Sequence, residues 1–121
     1  MEKIAIVGAE KNYWNEKQES LIKRIISRIL IKDSILISGG CPRGGVDIWA
    51  EQIADKNGIE KIIHEPKINI WEEFKSRNKK IAEDCDILFD IEPDGREHSG
   101  GMWTLNFAKR LGKEVVKIVI I

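Results

Sequence analysis

The segment Ile35-Leu36-Ile37-Ser38-Gly39-Gly40-Cys41-Pro42-Arg43-Gly44-Gly45-Val46-Asp47 decides how this chain is read. An apolar run leads into four glycines and a proline, and an amphipathic stretch follows. So many glycines are costly in backbone entropy. Their placement predicts a strand, a tight turn and a helix start. Glycines let the backbone approach a ligand closely, and the N–H groups at a helix start lack partners, so the turn suits an anion such as phosphate. A turn that merely makes the strand-to-helix corner fits the same residues, and the segment alone does not separate the two.

Working outward, Ile4-Ala5-Ile6-Val7 ends at Gly8 and reads as a strand buried on both faces. Asn15 is placed to cap a helix from Glu16 to Ile31, whose Ile22, Ile25, Ile26, Ile29 and Leu30 form one apolar stripe. After the glycine turn, Val46, Trp49, Ala50, Ile53 and Ala54 mark a second helix, stopped by Asn57-Gly58. Ile59 to His64 predicts a third strand, Trp71 to Glu83 a third helix, and Asp86 to Asp90 a fourth strand. A polar loop from Ile91 to Ser99 leads to Gly100-Gly101 and a fourth helix, capped by Gly112, and Glu114 to Ile121 is the last strand. Strands alternating with helices force parallel pairing and right-handed crossovers. The expectation is one domain over residues 1–121, an α/β fold: a three-layer α/β/α Rossmann-like sandwich on a parallel five-stranded sheet of order 3-2-1-4-5.

Composition narrows the function. Lys and Arg together number 20, as do Asp and Glu, so no basic excess drives nucleic-acid binding. No apolar run reaches the length of a membrane span, and Met1 leads directly into a strand-like segment without a secretory leader. Cys41 and Cys85 lack a paired spacing and read as free thiols, which implies a reducing, cytoplasmic setting. His64 and His98 have no partner spacing for a metal, and no metal or established cofactor is expected.

In sheets of this order, ligands bind beyond the carboxyl ends of the strands, where the order reverses. Three loops converge there: Gly8 to Trp14, Ser38 to Asp47, and Asp90 to Thr104. Gly8, Gly39, Gly40, Arg43, Gly44, Gly100, Gly101 and Thr104 are the candidate phosphate ligands. Arg43 is a bidentate donor or a solvated loop residue. Asn78 falls on the apolar stripe of the third helix, where a polar amide must be hydrogen-bonded; it braces the glycine loop or touches ligand. Its neighbour Arg77 could pair with phosphate or with the acidic loop. Trp14 and Trp103 are candidates to stack on a base, whereas Trp49 and Trp71 are expected in the core. Asp47 suits the helix dipole whatever the function. Glu51 is a ribose ligand or, more in keeping with its position, part of a solvated face. His98 is a remote candidate for proton transfer.

With these residues in place, the chain resembles the SLOG superfamily of Rossmann-like nucleotide-binding proteins, and within it the small stand-alone YspA-like branch. Val7-Gly8 with the loop to Trp14, the block Gly39 to Asp47 followed by Ala50-Glu51, the pair Arg77-Asn78, and Gly100-Gly101 with Thr104 carry the likeness across the chain. The block has one extra residue, and Gly8-Ala9-Glu10 lacks the serine and arginine of the branch's first turn. The resemblance implies a nucleotide or nucleotide-derived ligand. The superfamily includes sensors proposed for prokaryotic conflict systems, phosphoribohydrolases of the cytokinin-activating type, and the DNA-processing protein A family. The phosphoribohydrolase motif carries a glutamate where this chain has Phe107, which argues against that activity.

The expected function is therefore binding of a nucleotide-derived small molecule, as a sensor or accessory protein. The alternative is a nucleotide N-glycosidase using Asp47, Glu51 or Asp90 as its catalytic carboxylate. A single-strand DNA-binding module is disfavoured by the zero net charge. The apolar strand Val115–Ile121 allows a homodimer through a sheet edge, or is covered within the monomer.

Overall fold

The computed structural model describes residues 1–68, 70–96 and 98–121. Its strands are β1 (Glu2–Gly8), β2 (Ser34–Ser38), β3 (Glu60–Ile63), β4 (Ile87–Pro93) and β5 (Glu114–Ile120). Its helices are α1 (Glu16–Ile29), α2 (Val46–Lys56), α3 (Trp71–Asp84) and α4 (Gly100–Arg110), with a short 3-10 turn at Lys11–Tyr13. The strands form one sheet in the order β3-β2-β1-β4-β5, every pair parallel, as the alternation of elements requires. Among the described residues, no helix is long and apolar enough to cross a membrane.

Alternate residues of the strands feed two separate cores. Ile4, Ile6, Leu36 and Ile91 pack with Ile22 and Ile26 of α1 and with Val46, Trp49 and Ala50 of α2. Ala5, Val7, Ile37 and Leu88 pack with Ile81 and Ala82 of α3 and with Leu105 and Ala108 of α4. Two helices thus cover each face. The change of face between α2 and α3 follows from right-handed crossovers when the chain reverses direction across the sheet.

Local signals account for most boundaries. Asn15 caps α1 with a full capping box: its Oδ1 accepts from Gln18 N at 2.9 Å, and its own N–H donates to Gln18 Oε1 at 2.9 Å. That helix stops at Ile29, two residues before the expected end at Ile31.

Two expectations are corrected. β4 does not end at Asp90 but runs on to Pro93, because β5 continues to pair with it through Glu92↔Val119 and Pro93↔Ile120. Polar residues read as loop are therefore strand, with Ile91 facing the α1/α2 core and Asp90 and Glu92 facing α3 and α4. Trp71 is not a core residue: it opens α3 and is 48% exposed, whereas Trp49 is buried as expected.

Candidate functional site

The three loops predicted to converge do meet beyond the carboxyl ends of β1 and β4. The loop after β1 is pinned first. Ala9 N donates to Ile91 O at 3.2 Å. Ala9 O accepts from Val46 N at 3.2 Å and from Trp14 Nε1 at 3.0 Å. Gly8 permits this closeness, since a Cβ there would collide with Ile91 O and the Val46 side chain. Trp14 is consequently a brace, its ring packed on the α1/α2 core.

The glycine turn is held from behind by two charged residues. Glu51, expected on a solvated face, is buried; its Oε2 accepts from Ser38 Oγ at 2.6 Å and from Gly40 N at 3.2 Å. Arg77 Nη1 donates to Gly39 O at 2.6 Å, and its Nε donates to Asn78 Oδ1 at 2.7 Å. A Cβ on Gly39 would strike that guanidinium. Gly40, Gly44 and Gly45 all have positive φ, so they shape the turn itself. Asn78 is buried as its stripe position predicts and braces the turn through Arg77.

What remains is an open cleft of about 200 Å³ floored by Val7 and Gly8. Arg43, Asp47 and Cys41 line it from the glycine turn, Trp71, Phe74, Arg77 and Asn78 from α3, and Gly100, Gly101 and Thr104 from α4. Glu10 and Arg96 complete the wall. Of the candidates named from sequence, Gly8, Arg43, Asp47, Arg77, Asn78, Gly100, Gly101 and Thr104 come together here. Gly39, Gly40, Gly44, Glu51, Asp90, Trp14 and Trp103 stand outside the wall.

Behind Gly101 lies a buried pair of acids. Asp90 and Glu92 are both fully buried, and a Cβ on Gly101 would strike an oxygen of each. Glu92 is supported: Ser99 Oγ donates to Oε2 at 3.0 Å and Arg96 Nη1 to Oε1 at 3.4 Å. Ser99 in turn accepts from Met102 N at 3.0 Å, so the start of α4 faces a carboxylate of its own chain. Asp90 has no donor on either oxygen among the described residues. Burial, then the hydrogen bond to and charge of Glu92, push Asp90 up to about 10. Two neighbouring buried carboxylates cannot both ionise. Burial and the neighbouring Glu92 both favour the protonated form of Asp90.

Asp47 differs because it lines the cleft. Burial pushes it up to about 7, with Arg77 pulling the other way and the charges of Glu51 and Glu92 adding to the rise. Near neutrality it can accept a hydrogen bond or donate one. Burial raises the Cys41 and Cys85 thiols, Cys85 to about 11, so neither is an activated nucleophile. Among the described residues, no three His, Cys, Asp or Glu side chains gather to hold a metal ion.

Glu92, Arg96, Glu10, Phe74 and Trp71 escape the sequence reading. A signal for Glu92 is present: Phe89 and Ile91 alternate with Asp90 and Glu92, a period of two that continues the strand and puts both acids on one face. Compared with known proteins, the chain matches no family model and no curated protein.

Proposed function

We propose that this chain binds a phosphorylated, nucleotide-derived small molecule in the cleft beyond β1 and β4, as its resemblance to the SLOG superfamily implies. One observation carries the reading: at the switch in strand order, a cleft is walled by Arg43, Arg77 and Arg96. Arg77 is committed to Gly39 O and Asn78, and Arg96 gives Glu92 one long hydrogen bond, 3.4 Å, through Nη1. Of these three, Arg43 is the least committed: its side chain is 60% exposed and its pairing with Glu10 is loose at 3.6 Å. It supplies the phosphate contact, while Asp47 is placed for a ribose hydroxyl. A cleft of about 200 Å³ falls below the ~300 Å³ at which ligand pockets usually begin, so it suits phosphate and ribose with the base directed outward.

The test is calorimetry with mono-, di- and cyclic nucleotides. One class binds, and Arg43→Ala weakens it about ten-fold through the lost charge-assisted hydrogen bond. The melting temperature of the free variant stays within about a degree, as for a surface change away from the core. Equal affinity in the variant removes Arg43 from the site, and a panel without binding overturns the reading.

A second reading, hydrolysis of a nucleotide N-glycosidic bond, is favoured by Asp47 alone, a buried carboxyl that lines the cleft and that burial pushes up to about 7, the range that suits a general acid or base. Free base released from a bound nucleotide, and its loss in Asp47→Asn, would establish it. We further propose that two copies pair through the outer edge of β5, where Val116 and Val119 are exposed. A monomer mass in solution at micromolar concentration would rule this out.

A further inference from the structure

A second cleft, of about 450 Å³, opens beside the first, and the two share Trp71, Arg96 and Gly100 along their common border. It lies over the start of α4 and is walled by Trp71, Trp103, Met102, Asn106 and His98. The two indoles stand perpendicular, 84° apart with ring centres 6.1 Å from one another. One face of Trp103 is covered by Phe107, stacked at 5.5 Å, which fixes the indole, and the Trp103 side chain still borders the cleft. Trp71, at the border, is nearly half exposed, a large apolar ring with its burial unfinished. Asn106, exposed at the rim, offers an amide that can pair with the polar edge of a base.

Arg96 is held where the clefts join. Its guanidinium lies 3.9 Å from the centre of the Tyr13 ring and pairs with Glu92 at 3.4 Å. Its side chain is only 23% exposed. A fixed guanidinium where the two clefts join, with two indoles bordering the second, matches a phosphate bridge with a heterocycle beyond it.

We propose that the second cleft is a base-binding subsite, and that the two clefts together take one ligand with two nucleoside halves joined through phosphate. This rests on the reading of the first cleft as a nucleotide site. The first cleft takes one ribose and phosphate, Arg96 takes the bridging phosphate, and the second base lies against Trp71 and Trp103.

Calorimetry with the four ribonucleoside monophosphates and the four matching symmetrical dinucleoside pyrophosphates tests the proposal. For at least one base, the dinucleotide binds about ten-fold or more tighter than its mononucleotide, the gain of one aromatic stacking contact. Trp103→Ala removes the stacking face, and Asn106→Trp, at an exposed helical position, fills the cleft without disturbing the core. Each brings the two affinities to within about two-fold and leaves the mononucleotide unaffected. If mononucleotides bind and no dinucleotide binds more tightly, or if the advantage survives in both variants, the subsite is overturned and the first cleft stands alone. If neither class binds, the nucleotide reading itself falls, and the subsite with it.

Discussion

Gly45→Ala is expected to cost about 3–5 kcal/mol of folding stability, summing backbone strain and overpacking. Gly45 precedes α2 with φ of 90° and ψ of −147°, a region closed to residues with a Cβ. A Cβ would also lie 2.5 Å from Ala9 O and 2.6 Å from the backbone of Glu10. Neither neighbour can retreat, because Ala9 O is already bonded to Val46 N and Trp14 Nε1. Gly58 is the control: its φ is 67°, but a Cβ there meets nothing within 4 Å. Gly58→Ala should cost only about 1 kcal/mol, the strain alone. Urea unfolding of both variants gives the comparison. Equal losses would mean that the contact with the first loop does not constrain the turn.

Asp90→Asn is expected to stabilise the protein above neutral pH by about 1–3 kcal/mol, and to change it little near pH 4. The sign follows from linkage. Asp90 and Asp47 both have folded pKa values raised above 3.8, to about 10 and about 7. The unfolded chain then releases these protons first, and stability falls as pH rises. The loss begins near the unfolded pKa and ends near pH 7 for Asp47; for Asp90 it continues through neutrality. Each group contributes at most about 1.4 kcal/mol per pH unit in its window. The amide introduced by Asp90→Asn is of nearly the same size and does not titrate. Asp84 works in the opposite sense. Burial pushes its pKa up, but hydrogen bonds from His64 and Lys3 outweigh this and leave it lowered, so its contribution fades as the solution is acidified. Urea midpoints at pH 4.5, 6 and 8 separate the two effects. A variant destabilised at pH 8 would show that Asp90 is ionised in the native protein.

The fold was legible because its determinants are local. Short apolar runs, helical stripes and the glycine stops after α2 and α4 each carry their meaning in a few adjacent residues. The site was legible only where a residue's role follows from its own element. Asn78 announces itself as a polar residue on a buried stripe, and Asp47 by its place in a first helical turn. Glu51 looks solvated until Ser38 and Gly40 are brought to it from thirteen and eleven residues away. Glu92 looks like loop until β5 pairs beside it. Trp71 has the spacing of a core residue, but it lies at the open end of α3 next to the cleft. The glycines were read together as phosphate ligands, yet their places in the fold divide. Gly101 makes room for two carboxyl groups and Gly39 for a guanidinium, distinctions that depend on side chains from distant segments.

The division into two cores has an optical consequence. Trp14 and Trp49 belong to the layer of α1 and α2, shielded against or within its core. Trp71 and Trp103 belong to the layer of α3 and α4 and border the clefts. The four indoles thus form two separate fluorophores, one sensing the integrity of the fold and the other the occupancy of its crevice. A molecule settling in the clefts alters the redder, water-exposed part of the emission, while loss of structure also shifts the bluer, shielded part. The protein carries its own internal reference for telling an occupied state from an unfolded one.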